Sequence, residues 1–332
     1  KGSYRSMGVI GDYFNYGWPG MSMDGDSALY YYFEASKGDD PRGDYMIGTW
    51  LFDQKAYDKG LEYIVSAASN GNPDAYVTYA FAMLVGAGME ADPAQGYALL
   101  EQLAPNNEDG RAYNLLGLAR LAGVGCEVDT AMAVRYLDSA ADFGNAEAMM
   151  TLGGFYAMGS GVERDTVKTL EYYNRAVATG STKAMLRLAG SHQSGEMVPL
   201  DKKRAAELYQ MAADRGNLEA MCRLGLCYEE GEGVILNSRK AYNLYTQAAE
   251  NGSAFGMYLL GMCYIEGVYV KEDTEQAAQW FLKGAEAGSV RCCYIIGQMY
   301  ATGDGMKKNK KEAKKWLALA AENGIEAAEQ II

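Results

Sequence analysis

Few residues in this chain are able to do chemistry. His192 is its one histidine, and its cysteines are Cys126, Cys222, Cys227, Cys263, Cys292 and Cys293. A structural zinc site needs closely paired Cys or His ligands, and neither a C-x-x-C pair nor a Cys/His cluster occurs. The thiols fall at apolar helical positions, where a cysteine behaves as a small buried hydrophobe. That points to a reducing compartment, the cytoplasm, with a secreted or periplasmic location open for a processed fragment. No phosphate-binding Gly-x4-Gly-Lys-Ser/Thr loop is present. Glycine pairs such as Gly231 and Gly233 have no preceding strand and recur along the chain, so they serve turn geometry. His192 stands at a packed helical position and reads as a core residue. Carboxylates are plentiful, 43 Asp and Glu against 30 Lys and Arg, and a hydrolase would have to find its acid/base pair among them. No catalytic residue, metal or cofactor is expected, and the chain reads as a non-enzyme.

The net charge of −13 opposes binding to nucleic acid or an anionic membrane, because both repel an acidic surface. Lys307, Lys308, Lys310, Lys311, Lys314 and Lys315 are a local exception and read as a solvated helix face. No apolar run is long enough to span a bilayer, so membrane insertion is not expected.

The elements that would carry any site are set by a period. Ala112, Ala148, Ala184, Ala220, Gly256 and Cys292 are spaced 36 residues apart. Leu or Ile follows each at four positions, Gly or Ala at five, and a Tyr or His at eight in most copies. Asp129, Asp165, Asp201, Asn237, Asp273 and Asn309 lie 17 residues after each anchor. Their side-chain oxygens suit helix N-caps. An apolar helix follows, marked by pairs such as Tyr172-Tyr173, Leu244-Tyr245 and Trp280-Phe281, with helical spacing to Ala-Ala one turn on. Gly144, Gly180, Gly216, Gly252, Gly288 and Gly324 then stop the second helix. Asn145, Ser181, Asn217, Ser253 and Ser289 cap the next first helix. Each unit is therefore helix, glycine turn, capped helix, glycine stop, and a fixed period of this size means stacked supersecondary units. The expected organisation is one solenoid over 1–332, with irregular repeats over 1–111, six regular repeats over 112–327 and a terminal piece at 328–332. Asp92-Pro93, a degenerate Ala75 anchor, Ile47-Gly48 with a shortened turn between Asp53 and Asp58, and Ile10-Gly11 before a Trp18-Pro19-Gly20 loop bring the count to about nine.

The stretch from Ala220 to Gly252, AMCRLGLCYEEGEGVILNSRKAYNLYTQAAENG, resembles the Sel1-like repeat, a relative of the tetratricopeptide repeat. The resemblance covers nearly the whole chain. It implies an all-α, right-handed alpha-alpha superhelix whose first helices line a concave groove, and an adaptor or scaffold role. Some secreted members carry a disulfide in every unit. Here Ala141, Val177, Ala213, Ala249, Ala285 and Ala321 stand where the second cysteine would lie, so that subtype is not expected.

Rotation by 100° per residue places offsets −1, +2, +6 and +9 from the anchor on the side of the first helix opposite its packed face. Leu118, Leu186, Leu226, Tyr258, Met262, Tyr294 and Gln298 fall there, and Val77, Phe81 and Leu84 are the equivalents in the irregular third unit. Such an apolar stripe is expected either to receive an amphipathic helix or extended apolar peptide, or to be buried between neighbouring first helices. Arg187 and Arg223, with Lys183, form a cationic run that would either clamp a partner carboxylate or pair with neighbours such as Glu219. The expected function is a protein-binding adaptor. Its alternatives are a regulatory or assembly subunit and, remotely, a hydrolase.

Overall fold

The computed structural model describes residues 2–16, 24–38 and 40–329. The Trp18-Pro19-Gly20 loop lies outside the described residues. These residues form helices and turns, without a strand among them. The chain divides into two compact units, Lys1–Thr179 and Gly180–Ile332. The first unit holds α1 (Gly2–Tyr16), α2 (Gly25–Ser36), α3 (Pro41–Asp53), α4 (Tyr57–Ser69), α5 (Pro73–Val85), α6 (Pro93–Leu103), α7 (Arg111–Ala122), α8 (Thr130–Asp142), α9 (Ala146–Met158) and α10 (Thr166–Ala178). The second holds α11 (Thr182–Ser194), α12 (Lys202–Ala213), α13 (Leu218–Glu230), α14 (Ser238–Glu250), α15 (Ala254–Glu266), α16 (Thr274–Glu286), α17 (Val290–Thr302), α18 (Lys310–Glu322) and the short α19 (Glu326–Glu329). Within each unit every helix packs on its sequence neighbours. The result is five antiparallel helix pairs followed by four, an all-α repeat solenoid with the expected number of pairs.

The caps explain where the helices begin. Asp129, Asp201, Asn237 and Asp273 each accept from the backbone N–H three residues on, at 2.9–3.0 Å. Asn145, Asn217, Ser253 and Ser289 do the same for first helices. These bonds satisfy donors that a helix start leaves orphaned. The α3–α4 pair departs from the pattern. Its turn is only three residues, Lys55 closes it with φ 60, and Ala56 precedes α4 without a side-chain cap.

Packing inside a pair rests on one close approach. Tyr173, Tyr209, Tyr245 and Phe281 are fully buried second-helix rings. Tyr173, Tyr245 and Phe281 each face the glycine five positions after the anchor of their own first helix, Gly153, Gly225 and Gly261. At Gly225 a Cβ would stand 2.3 Å from the Tyr245 ring, and at Gly261 2.6 Å from the Phe281 ring. Two phenols also reach back to the first helix. The Tyr209 hydroxyl donates to Gln193 Oε1 at 3.0 Å, and the Tyr245 hydroxyl to Glu229 Oε2 at 2.7 Å.

The turn glycines differ in what they tolerate. Gly233 has φ +70, and a Cβ there would fall 2.0 Å from the Lys202 carbonyl oxygen, in the preceding repeat. Gly252 has φ +90 but nothing within 4 Å. Gly233→Ala is expected to cost about 3 kcal/mol or more, combining backbone strain with a collision against fixed backbone. Gly252→Ala should cost only about 1 kcal/mol, the left-handed penalty alone. Urea titrations followed by circular dichroism check the order, and equal losses at the two sites would contradict it.

Candidate functional site

The first helices α5, α7 and α9 of one unit, and α11, α13, α15 and α17 of the other, present the surface on which the candidate residues lie. Within the second unit, Leu186, Leu226, Tyr258, Met262, Tyr294 and Gln298 are all half-buried. The Tyr258 ring lies 6.3 Å from the Phe281 ring, and the Arg291 guanidinium sits 5.8 Å above it. Gln298 Nε2 donates to the Tyr294 hydroxyl at 2.9 Å. Met262 and Gln298 come together in an open depression of about 440 Å³, whose other walls include Ile265, Phe281, Ile295, Met299 and Ala301. The lining is largely apolar, so the chemistry available is hydrophobic contact with one amide at the edge. Tyr258 and Tyr294 stand next to it, packed against the core that contains Phe281 and Ile296.

Arg187 and Arg223 are both exposed. Arg223 pairs with Glu219 one turn earlier, at 2.8 Å. An exposed pair of this kind contributes little to stability and is readily exchanged. Leu186 and Leu226 lie outside the depression.

Within the first unit, Phe81 is partly exposed and Leu118 half-buried. The third unit corrects the reading made from helical rotation, because Val77 and Leu84 are buried. They join Leu100, Leu116 and Tyr97 in one core cluster, so α6 and α7 cover the face that rotation alone had left open. The same edge is covered at Asn114 and Cys222, both buried at offset +2. Neighbouring first helices touch there, α5 with α7 and α13 with α15.

Phe81 borders a second depression of about 480 Å³, with Asp53, Thr78, Arg111, Asn114, Leu115, Asn145 and Glu147. Its centre of charge is Arg111. That guanidinium donates to the Tyr45 hydroxyl, to Thr78 Oγ1 at 2.9 Å and to the Asp74 carbonyl at 3.5 Å, and Asp109 is 3.8 Å away. Burial pushes the Asp74 carboxyl above its ordinary range even beside Arg111. This polar site is not apparent in the sequence. Its one signal was Asn114, a carboxamide in a column otherwise filled by Met, Leu, Cys and Tyr.

The remaining reactive side chains are engaged in structure. His192 is buried, and its Nδ1 lies 3.0 Å from the Pro199 carbonyl oxygen. The lysine-rich segment leads into α18 and runs through its first turns, where Lys315 lies 3.7 Å from Glu312 and 4.3 Å from the Trp316 ring. Among the described residues no three His, Cys, Asp or Glu side chains are grouped to hold a metal ion. None of the described helices is long and apolar enough to cross a membrane.

Consecutive helix pairs, most of them capped and closed by a large apolar second-helix side chain against a glycine, define a tetratricopeptide-like helical repeat solenoid. The Sel1 repeat model matches residues 5–40, 73–104, 110–145, 146–181, 182–217, 218–253, 254–289 and 290–325, and the chain belongs to the Sel1 repeat family. The unmatched stretch between 40 and 73 is the α3–α4 pair with the short turn. A Sel1 repeat protein from Oxalobacter formigenes is similar over 91% of this chain and 89% of its own, at 27% identity and TM-score 0.66. A protective antigen of uropathogenic Escherichia coli with an SLR fold shares the fold at 24% identity, TM-score 0.55, over 98% and 78% of the two chains. Yeast Tom70 shares it at 12% identity, TM-score 0.57, over 90% of this chain and 63% of its own. No curated protein matches the chain.

The thiols yield a prediction. All six cysteines are unpaired, and all but Cys126 are buried. Burial pushes Cys222, Cys227 and Cys292 up to about 11 and Cys263 up to about 12, from 9.0. They are neutral in the fold, whereas the unfolded chain loses their protons above pH 9. Above that pH the unfolded state binds fewer protons, so stability falls as pH rises. The stabilisation is full below pH 9 and is lost between pH 9 and 12. The urea midpoint at pH 10.5 should lie below that at pH 8. At pH 8 a thiol reagent should label Cys126 first in the native protein. Rapid labelling of all six without denaturant would contradict the burial.

Proposed function

We propose that the protein is a scaffold or adaptor that binds a partner polypeptide along the first-helix face. In the second unit the partner seats an apolar side chain in the depression lined by Met262, Ile265 and Ile295, with Tyr258 and Tyr294 beside it and Gln298 at the edge. The observation that carries this reading is that depression, an open apolar hollow on a repeat solenoid of a scaffold-type family. Leu186 and Leu226 extend the contact, and Arg187 and Arg223 offer guanidinium groups to a partner carboxylate, Arg223 by releasing Glu219. The occupant fitted by these features is an amphipathic helix or an extended apolar segment.

A second reading, a regulatory or assembly subunit held permanently through other surfaces, is favoured by the turns. Ile235 is 90% exposed, and Leu236 and Leu200 are 62% and 61% exposed in successive repeats. Large apolar side chains left this open suit a standing interface.

The two readings separate in one experiment. Wild type, a Tyr258→Ala/Met262→Ala/Tyr294→Ala variant and an Ile235→Ser/Leu236→Ser variant are used to capture partners from source lysate, with helix content checked by circular dichroism. The adaptor reading expects loss of at least tenfold in captured partner with the first variant and none with the second. The reverse pattern supports the subunit reading. Capture unchanged in both removes the first-helix depression and the turns together.

A further inference from the structure

We infer that the lysine array on α18 is a docking surface for a short acidic segment of the bound polypeptide, one rich in glutamate or aspartate. The inference rests on the scaffold reading and gives the chemistry of a second stretch of its partner.

Between 307 and 315 the chain carries six lysines, Lys307, Lys308, Lys310, Lys311, Lys314 and Lys315, against one carboxylate, Glu312. All six are exposed. Lys307 and Lys308 lie in the turn, and the other four lie in the first two turns of α18. Lys310 and Lys314 are one helical turn apart, as are Lys311 and Lys315, so the four share a face. Ala313, Trp316, Leu317 and Ala320 hold the other face in the core. Among the described residues only Lys315 of the six has a counter-charge, Glu312 at 3.7 Å.

The arrangement works against the helix that carries it. Like charges four residues apart repel. The start of a helix also carries partial positive charge, which disfavours cations. The fold does not call for lysine there, since α16 opens the same element with Thr274, Glu275 and Gln276. At the equivalent start of α12, cations are answered from within the chain. Lys202 pairs with Glu232, and Arg204 lies 3.1 Å from Glu207. On α18 the counter-charge is left for a partner to supply. The position is open even where a further repeat follows: Lys202, Lys203, Arg239 and Lys240 begin α12 and α14 and are exposed or half-exposed along their length.

The charge of the whole chain selects among anions. The net charge is −13, so the chain outside this segment is acidic. The four lysines of α18 span about 8 Å of helix axis, which matches the Debye length of about 8 Å at physiological salt. A nucleic acid or an anionic bilayer extends well past that distance and meets repelling carboxylates. A segment of a few acidic residues ends where the array ends, and it gains the attraction without the repulsion.

The test uses the full chain and fluorescein-labelled hexaglutamate, followed by anisotropy at about 50 mM salt. Hexaglutamine is the counterpart. Wild type should bind hexaglutamate at least about tenfold more tightly than hexaglutamine, and about 0.5 M salt should remove the difference. Lys310→Gln/Lys311→Gln/Lys314→Gln should weaken hexaglutamate binding about tenfold. The same variant should keep or raise the melting temperature, because the repulsion and the conflict with the helix start are both relieved. Lys202→Gln/Lys203→Gln/Arg204→Gln removes equal charge from α12 and should leave binding nearly unchanged. Failure of hexaglutamate to bind wild type overturns the inference. So does binding that the α18 variant keeps, or that the α12 variant loses equally. Tighter binding through α18 of a single-stranded oligonucleotide or of phosphatidylserine vesicles than of hexaglutamate overturns it too. Loss of partner capture by the Tyr258/Met262/Tyr294 variant, with no hexaglutamate binding to wild type, sinks the array and spares the scaffold. Hexaglutamate binding that depends on α18, with capture unchanged in that variant, spares the array and sinks the second-unit depression.

Discussion

The structure depends on the absence of a side chain. In five of the regular pairs a large second-helix side chain lies against the residue five places after the first-helix anchor, and that residue is glycine: Gly117, Gly153, Gly225, Gly261 and Gly297. Where it is Gly225 or Gly261, even one carbon would intrude on Tyr245 or Phe281. Close packing of a large ring against bare backbone buries much apolar surface and leaves no void. It also fixes the rotation of the first helix, because only one face has the gap. With that rotation set, the opposite face of every first helix is set as well, and the candidate surfaces inherit their positions from the seam inside the pair.

The parts of this design that are local in the chain were readable from the sequence. A cap and a left-handed glycine stop each express a backbone requirement within a few residues, and copies in phase every 36 residues made them legible. The surface was less readable. Rotation about a helix axis tells where a side chain points from its own helix, but not what another helix lays over it. Val77 and Leu84 are buried in a cluster that includes α6 and α7, and Asn114 and Cys222 are buried although rotation places them on the outward side. The Arg111 cluster needed still more distant information, since Tyr45 lies 66 residues away. No periodicity reports such a pairing. Asn114 alone carried a trace of it, as a polar residue out of place in its column.

The two units use the same backbone for different surface chemistry. On α15 and α17 the outward positions hold Met262, Ile265 and Ile295 around an apolar hollow. In the first unit the end of α3 and the helices α5, α7 and α9 bring together Asp53, Thr78, Arg111 and Glu147. The seam residues stay nearly constant while the outward ones vary, since the seam determines folding and the outward positions are released from it. Cys227, Cys263, Cys292 and Cys293 are buried on the seam side and Cys222 on the outward edge, and burial keeps these thiols protonated and inert.

The interlocking of Gly233 with the Lys202 carbonyl has a consequence for how long such a chain can be. Every stop, cap and turn is matched to a counterpart one period away, 36 residues in the regular part. Removing or duplicating a whole period between equivalent stops returns the same neighbours to one another, while any other change of length sets a side chain against a carbonyl or strands a cap. The length of the regular region is therefore quantised. Its natural mode of divergence is the gain or loss of complete pairs, and the α3–α4 pair, with its short turn and missing cap, shows how far a single unit departs from the rule while its neighbours keep it.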